Sequence, residues 1–186
     1  MFKVIKSLFF VVLAASVLQG CSFSAKNTAS PSLLLNSKST MKITSPAFSE
    51  GQDIPSKFTC DGVNVNPELQ LSGVPASTQS LAIIVDDPDS QGGNWSHWLM
   101  WNIKPDTVVI SENSVPSGAV QGTNDFGEAK YGGPCPGRGK HHYQYKVYAL
   151  DVEFDLTSSA IKSDLIKAIN GHVLDQAVLV GLYQKK

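Results

Sequence analysis

An unbroken apolar run that ends directly in carboxylates places the strongest constraint on what this chain can fold into. Leu81–Val85 contains no polar residue, and an apolar run of this length is typical of a strand that is buried on both faces. Asp86, Asp87 and Asp89 follow it. Because an unpaired carboxylate is costly to bury, we expect the strand to reach the surface at these residues. Pro88 has no backbone N–H for a ladder, which also predicts the end of a central strand here.

A second strand-like run follows soon afterwards and begins with an imidazole. Gly92-Gly93 provides a turn, and Trp98–Ile103 then forms an apolar run that opens with His97. One predicted strand therefore ends in a carboxylate and the next begins with a histidine. If the two strands are neighbours, Asp87 and His97 lie at the same mouth of the sheet.

A long loop rich in glycine and proline, Tyr131–Lys140, leads into a further predicted strand, Gln144–Leu150. His141, His142 and Tyr143 lie at the junction between this loop and the strand. Together with the histidine of the preceding strand, they include three of the chain's four histidines. The pattern places polar, chemically versatile side chains at the start of a second strand.

The order of these groups resembles the phosphatidylethanolamine-binding protein family, and its bacterial, Raf-kinase-inhibitor-like branch in particular. The resemblance runs from about Met41 to the C-terminus. The matching segments are Phe58-Thr59-Cys60-Asp61-Gly62, Asp87-Pro88-Asp89, Trp95-x-His97, Asp125-Phe126-Gly127, Gly133-Pro134, His141-x-Tyr143 and Gly171-His172. One departure is His142, where the family commonly has arginine. The resemblance implies a β-sandwich-like fold with a peripheral C-terminal helix and a small pocket for phosphate-type headgroups and similar anions.

The candidate ligand-binding residues combine this resemblance with the chemistry of the side chains. If they converge, a carboxylate can accept a hydrogen bond from an imidazole and favour its protonated form. Imidazoles, a phenol and the N–H groups of a glycine loop would then form a cradle for an anion. The resemblance implies apolar pocket walls from Pro88 and Trp95. The full candidate set is Asp87, Pro88, Trp95, His97, Gly133, Pro134, His141 and Tyr143.

Each candidate also has a purely structural interpretation. An aspartate before a proline often caps a turn, and His97 can be a core histidine that is satisfied by a backbone carbonyl. Trp95 and Tyr143 can be ordinary core residues. We interpret His142 as a rim residue and His172 as structural. The joint pattern, rather than any single residue, favours a binding site.

The N-terminal segment predicts export and a lipid anchor. Residues 1–20 combine two lysines with the apolar run Leu8–Leu18, which is too short to span a bilayer core of ~30 Å comfortably. Leu18-Gln19-Gly20-Cys21 resembles a bacterial lipobox, which implies cleavage before Cys21 and attachment of lipid, such as palmitate, to it. An ordinary signal peptide with a nearby cysteine is the alternative. Serine after Cys21 implies the outer membrane if the source is Gram-negative.

The remaining chain divides into a tether and one domain. Residues 21–40 are rich in Ser, Ala, Asn and Lys, which is typical of a flexible tether. Residues 41–186 are long enough for one domain with a normal core. The domain is expected in the periplasm or at the cell surface, attached to the membrane through Cys21.

The two other cysteines, Cys60 and Cys135, form an even pair in a predicted oxidising compartment, which suggests a disulfide. Both lie in loops that contain glycine or proline, so they have room to meet. Two free or buried thiols are the alternative. A bridge closing a loop of ~75 residues would contribute roughly 4 kcal/mol in the chain-entropy model.

The rest of the pattern predicts a mainly antiparallel β-domain. Short strands are expected in Met41–Phe48 and Leu69–Leu71 and around Val108–Ser111, with a long polar loop over Ser114–Glu128. The spacing of apolar residues after Asp151 then becomes helical, which predicts one or two late helices with Ser158 and Ser159 as cap candidates. Val178–Tyr183 is expected to form a last strand.

Three functional hypotheses are compatible with these features. The first is a lipid-anchored envelope protein that binds a small anion and modulates a partner protein, such as a kinase or a protease, as the resemblance implies. The second is a metal-dependent enzyme with a facial triad of two histidines and one carboxylate. The third is a structural envelope protein whose pocket is a relic. The first is preferred, so we predict no catalytic residue, resident metal or cofactor.

The charge of the chain argues against nucleic acid as a partner. Its formal net charge is −1, and removal of the predicted leader deletes two lysines and no acidic residue, which leaves about −3. The sequence contains neither a basic patch nor basic residues interleaved with aromatic ones.

Overall fold

The computed structural model describes residues 39–186; the predicted leader, Cys21 and most of the predicted tether lie outside this range. The described chain forms two β-sheets, one α-helix and one turn of 3₁₀-helix, Ser56–Phe58. The strands are β1 Lys42–Thr44, β2 Gln52–Asp53, β3 Leu69–Ser72, β4 Ser80–Asp87, β5 Trp95–Ile103, β6 Val109–Ile110, β7 Val120–Gly122, β8 Lys140–Leu150 and β9 Val173–Gln184. The helix, α1, spans Lys162–Ile169.

The larger sheet brings the two predicted central strands together. Its strand order is β2-β9-β8-β4-β5-β7, and the smaller sheet has the order β1-β3-β6. All pairs are antiparallel except the short pairing of β2 with β9. Since β4 pairs with β5 on one side and with β8 on the other, the end of β4 meets the beginnings of both neighbours.

Two cores cover the opposite faces of the larger sheet. One lies between the sheets and includes Ile43 and Leu71 from the smaller sheet and Ile83 and Trp98 from the larger one. The other lies under the helix, where Leu165 and its neighbours pack against the far face. Every residue of β4 is buried. The prediction of a strand buried on both faces is therefore confirmed, because the sheet is the middle layer of three.

The carboxylates at the end of β4 differ from the prediction. The strand reaches the surface only at Pro88 and beyond, whereas Asp86 and Asp87 are 1% and 3% exposed. Asp86 is tolerated in the core because two ammonium groups approach it: Lys162 Nζ lies 2.7 Å from Oδ2 and Lys146 Nζ lies 3.0 Å from Oδ1. The Lys146 contact is an ion pair without hydrogen-bond geometry, since Oδ1 accepts no hydrogen bond among the described residues.

Several strands extend beyond their predicted bounds. β8 begins at Lys140 rather than Gln144, and β9 covers Val173–Gln184 rather than Val178–Tyr183. These two strands pair along almost their entire length. Backbone hydrogen bonds between them extend each strand over polar residues that show no apolar–polar alternation in the sequence. β7 likewise lies inside the segment predicted as a long loop, because it pairs with the edge of β5.

The helix begins later than its predicted caps. Its N-cap is Ile161, and the Asp164 carboxylate accepts a hydrogen bond from the Ile161 backbone N–H at 3.1 Å. Ser159 instead pairs with Thr157, so the predicted serine caps are wrong. The mainly β, sandwich-like fold with a late helix is confirmed, and the described chain contains a single α-helix. Within residues 39–186, no helix combines the length and apolar character needed to cross a membrane.

Candidate functional site

A cavity of about 390 Å³ lies where the end of β4 meets the beginnings of β5 and β8. Because these strands pair in antiparallel fashion, the end of β4 and the first residues of β5 and β8 lie at the same edge of the sheet. Four of the predicted site residues, Asp87, Trp95, His97 and His141, line the cavity. Seven further residues complete the lining: Ser90, Gln91, Phe126, Cys135, Pro136, Gly137 and Arg138.

Asp87 and His141 form a closely coupled pair at the floor of this cavity. His141 Nδ1 lies 2.7 Å from Asp87 Oδ2, and the two side chains are 12% and 4% exposed. The other carboxylate oxygen accepts the Asp89 backbone N–H at 2.9 Å. His141 Nε2 lies 3.1 Å from the Arg138 carbonyl, so both ring nitrogens face oxygen acceptors. When it is doubly protonated, the ring donates in both directions and fixes the loop that carries Arg138.

His97 is held differently, by a backbone carbonyl. Its Nδ1 lies 2.7 Å from the Gly132 oxygen, and because a carbonyl can only accept, Nδ1–H is the donor. The residue is 3% exposed. Burial lowers the pKa of His97, while the carbonyls of Gly132 and Gly133 and the charge of Asp87 oppose that shift. The ring is therefore neutral at neutral pH, in contrast to the donor-rich imidazole that the anion cradle required.

Aromatic rings form the walls around the imidazole of His97. Phe126 and Tyr143 approach it edge-on, with ring centroids at 5.2 Å and 5.1 Å. Trp95 meets Phe126 at 5.6 Å in a similar arrangement. Edge-to-face packing of this kind stabilises the rings beyond their apolar burial. Phe126 is 45% exposed, so its ring also forms part of the mouth.

Tyr143 lies beside the cavity rather than in its lining. The residue is fully buried, and its hydroxyl has no hydrogen-bond partner of good geometry among residues 39–186. Burial and, next, the charge of the nearby Asp87 raise the pKa of Tyr143 well above its usual value. The phenol is therefore neutral, and in this structure it supports the ring of His97 from behind.

Three other predicted residues do not line the cavity. Pro88 is exposed on the turn after β4. Gly133 is buried, donates its N–H to Asn64 Oδ1 at 2.7 Å, and is packed so closely that a Cβ would collide with the backbone of Phe58. The Pro134 carbonyl accepts the Cys60 N–H at 3.1 Å. Gly133 and Pro134 thus position the loop.

A disulfide connects this loop to the segment after the 3₁₀ turn. Cys60 and Cys135 are bonded, with their Cα atoms 5.4 Å apart, so the predicted bridge is confirmed. Cys135 is exposed and also lines the cavity. The bridge is therefore part of the cavity wall, a position that the sequence did not predict.

Asn124 organises the opposite wall and was not predicted. Its Nδ2 donates to the carbonyls of His97 and Lys130, at 3.2 Å and 2.8 Å. Its Oδ1 accepts the N–H groups of Phe126 and Glu128, at 3.0 Å and 3.1 Å. A single buried amide therefore fixes the Phe126 turn, the start of β5 and the loop that follows.

The lining residues that sequence reasoning missed lie in irregular segments. Arg138 follows the disulfide in the glycine-rich loop, Phe126 belongs to the Asp-Phe-Gly segment, and Ser90 and Gln91 lie in the turn after β4. Phe126 carried a signal through the family-like segment that contains it. The others have no periodicity, and only the tertiary structure shows which way their loops turn.

The facial-triad alternative requires two imidazoles and a carboxylate aimed at one point. His141 instead directs Nδ1 at Asp87 and Nε2 at the Arg138 carbonyl, while His97 Nδ1 is bonded to Gly132. Among residues 39–186, no group of three or more His, Cys, Asp or Glu side chains is placed to hold a metal ion. The geometry thus offers no support for this alternative.

The two remaining histidines, interpreted from the sequence as a rim residue (His142) and a structural residue (His172), do not line the cavity. His142 is exposed and donates its backbone N–H to Asp89 Oδ2 at 2.8 Å, with Nδ1 at 2.7 Å from the same oxygen. The hydrogen bond from the His142 ring lowers the pKa of Asp89. His172 pairs with Asp151 at 2.8 Å, near the end of the helix. Both stabilise turns.

The sequence is similar to proteins of known family. The family model described as "Phosphatidylethanolamine-binding protein" matches residues 44–184. A UPF0098 protein of Methanothermobacter thermautotrophicus is 45% identical over 150 residues, which cover 78% of this chain and 99% of that protein. A UPF0098 protein of Pyrococcus horikoshii is 41% identical over 193 aligned residues, covering 98% of this chain and 92% of the relative.

The fold is similar to two solved structures. A phosphatidylethanolamine-binding protein homolog from Chlamydia trachomatis has a TM-score of 0.76 and 40% identity, covering 80% of this chain and 100% of its own. YbcL of Escherichia coli, described as a new member of the mammalian phosphatidylethanolamine-binding protein family, has a TM-score of 0.75 and 33% identity. That match covers 79% of this chain and 99% of YbcL.

Proposed function

The chain belongs to the phosphatidylethanolamine-binding protein family, and on that basis we propose that it is an envelope binding protein whose cavity takes a small phosphate-type anion. The observation that carries this proposal is the gathering of Arg138, His141 and aromatic walls around one hollow at the edge of the sheet. Lipid headgroups of the phosphate type and free phosphate share the chemistry that such a hollow recognises.

The charges of the lining favour an anion. His141 and Asp87 compensate each other when the ring is doubly protonated, while Arg138 forms no ion pair within the described part of the chain. A guanidinium group binds phosphate oxygens with two parallel hydrogen bonds. The indole N–H of Trp95 is fully enclosed and has no acceptor among residues 39–186, so Trp95 contributes its ring to the wall rather than a donor to the cavity. The guanidinium of Arg138 therefore supports binding of an anion with several oxygens.

We expect inorganic phosphate to raise the unfolding temperature of the full chain, and Arg138→Gln to remove most of that effect. A ligand at 100 times its Kd that binds only the folded state contributes about 2.7 kcal/mol, or roughly 5–10 °C for a domain of this size. Calorimetry with and without phosphate, at ionic strength matched with chloride, measures the shift.

Lys140→Gln is the matched control for this experiment. Lys140 lies two residues after Arg138, is exposed, pairs with Asp53 at 2.8 Å and does not line the cavity. Its replacement removes a charge of the same sign two residues away, at the start of β8, and should leave the phosphate shift intact. An equal loss in both variants, or no shift in the wild type at tens of millimolar phosphate, would contradict an anion site in the cavity.

We further propose that Cys21 anchors the domain to a membrane of the cell envelope, the outer membrane if the source is Gram-negative. The disulfide supports an oxidising compartment, since structural disulfides are rare in the cytosol. A protein partner, such as a kinase or a protease, enters the proposal only through the family. Under this proposal, binding of the anion in the cavity would change how the chain acts on such a partner.

We expect Cys21→Ser to move the protein from the membrane fraction to the soluble envelope fraction of cells that express it. The substitution removes the sulfur that would carry the lipid, while the folded domain begins well after it. Immunoblots of fractionated cells measure the distribution, and Ser22→Ala serves as the control. Identical fractionation of Cys21→Ser and the wild type would reject the anchor.

A further inference from the structure

The distal nitrogen of His97 makes no hydrogen bond of good geometry to any of residues 39–186, although the side chain lines the cavity. The Gly132 carbonyl already holds the proton of a neutral imidazole on Nδ1. A neutral ring has only one N–H, so Nε2 carries a lone pair and can only accept a hydrogen bond. The cavity therefore presents a neutral hydrogen-bond acceptor, His97 Nε2, beside the cationic Arg138.

The surroundings keep this acceptor in place at neutral pH. His97 is 3% exposed and contacts Phe126 and Tyr143 edge-on, so a positive charge on its ring would be poorly solvated. The titratable and charged groups around it are Asp87, Asp125, His141, Arg138 and the neutral phenol of Tyr143. Burial outweighs the two carboxylates and lowers the pKa of His97.

We propose that the cavity selects phosphate-type anions that carry a P–OH group, which donates its proton to His97 Nε2, over anions of the same shape that carry none. This inference rests on the proposed anion site and specifies its ligand. The charged oxygens of such an anion accept hydrogen bonds from Arg138, as in the proposed function. The hydroxyl of the ligand supplies the donor that His97 Nε2 lacks.

Sulfate is the informative comparison, because it has the tetrahedral shape of phosphate but no proton at neutral pH. A sulfate oxygen in front of Nε2 would place two lone pairs against each other and leave this nitrogen of a buried residue without a donor. Leaving a buried polar group without its partner typically reduces affinity by roughly tenfold to a hundredfold. We therefore expect phosphate to bind at least about tenfold more tightly than sulfate at pH 7.

Isothermal titration calorimetry of the full chain with inorganic phosphate and with sulfate tests this difference directly. Methyl phosphate and dimethyl phosphate extend it to esters and so separate free phosphate from an esterified source. Methyl phosphate loses its last P–OH proton near pH 6. Its affinity relative to sulfate should fall as the pH rises from 5.5 to 7.5. Inorganic phosphate keeps one P–OH throughout this range and should not lose affinity in this way.

Sulfate also serves as the internal reference for the protein. It does not titrate between pH 5.5 and 7.5, so any change in its affinity reports a change in the protein rather than in the ligand. The ratio of methyl phosphate to sulfate binding therefore isolates the proton on the ligand. Dimethyl phosphate has no P–OH at any of these pH values and should bind no better than sulfate.

His97→Asn tests the assigned acceptor. The asparagine amide can replace Nδ1–H as the donor to Gly132, while it leaves no atom at the position of Nε2. We expect phosphate affinity to fall to near that of sulfate, with sulfate affinity changed less than threefold. Gln91→Ala, which also alters the lining, should preserve the phosphate-to-sulfate ratio.

The outcomes separate this inference from the function on which it rests. Equal affinity of the wild type for phosphate and sulfate would overturn the proton requirement while leaving an anion site intact. A ratio that survives His97→Asn would overturn the assignment of the acceptor to His97. Failure of both anions to bind would overturn the anion site itself and this inference with it.

Discussion

Replacement of Asp86 with alanine is expected to lower the free energy of unfolding by about 3–5 kcal/mol, the usual cost of removing one partner of a buried ion pair. The carboxylate is 2% exposed and lies between the ammonium groups of Lys146 and Lys162. Without it, two positive charges would be left together in a partly buried site. Urea unfolding monitored by tryptophan fluorescence measures the loss.

The loss of the Asp86 carboxylate should also affect the residues that line the cavity. Asp86 Oδ2 also accepts a hydrogen bond from Asn94 Nδ2 at 2.9 Å, and Lys162 donates to the Asn94 carbonyl at 3.0 Å. These contacts attach the turn that contains Ser90 and Gln91 to the sheet and to the start of α1. We therefore expect Asp86→Ala to weaken phosphate binding as well as folding, although Asp86 lies on the opposite face of β4 from Asp87.

An exposed aspartate provides the matched control. Asp155→Ala removes a carboxylate from a surface segment and should change stability by no more than about 0.5 kcal/mol. Asp86→Asn keeps the shape but not the charge, and it should recover only part of the loss. A change below about 1 kcal/mol in Asp86→Ala would show that the two lysines do not depend on the carboxylate and would contradict this prediction.

Removal of the disulfide by the double substitution Cys60→Ser, Cys135→Ser is expected to cost about 4 kcal/mol and to lower the unfolding temperature by roughly 8–16 °C. The two cysteines are 75 residues apart in sequence, so the bridge restrains a large part of the unfolded chain. Differential scanning calorimetry of the oxidised wild type and of the variant measures the difference.

The same variant should bind phosphate less tightly, because Cys135 is part of the wall and Arg138 follows it in the same loop. The hydrogen bonds of Gly133 to Asn64 and of Cys60 to Pro134 hold the beginning of the loop but not Arg138. Reduction of the wild type is the matching control, since Cys135 is exposed. A stable variant with unchanged phosphate binding would mean that the loop keeps its form without the bridge.

The central strands and the relation between Asp87 and His97 could be predicted from the sequence because they depend on strong local signals. Leu81–Val85 is too apolar for anything but a buried element, and the polar residues at its end and at the start of the next run mark strand termini. Antiparallel pairing of such strands brings the termini together without further information. The disulfide could be predicted because two cysteines remain besides Cys21 and the predicted compartment is oxidising.

The extent of β8 and β9, and the residues of the loops, could not be predicted to the same degree. Their hydrogen bonds depend on partners far away in sequence, as in the pairing of His141 with Tyr183. Arg138 reaches the cavity because the loop is fixed by Cys60 and by the His141 ring, and none of these contacts leaves a periodic pattern. Side chains in irregular segments have directions that only long-range contacts decide.

The amino-acid pattern alone thus indicates a β-domain with an acid and imidazoles at one edge of its sheet, because burial of apolar side chains is a local and additive property. The hydrogen bonds of each polar side chain, by contrast, are not a local property. Whether His97 donates or accepts, and whether Asp86 is buried with partners or exposed, follows from atoms that other segments place nearby. A polar side chain takes its chemistry from its neighbours, and those neighbours exist only in the folded chain.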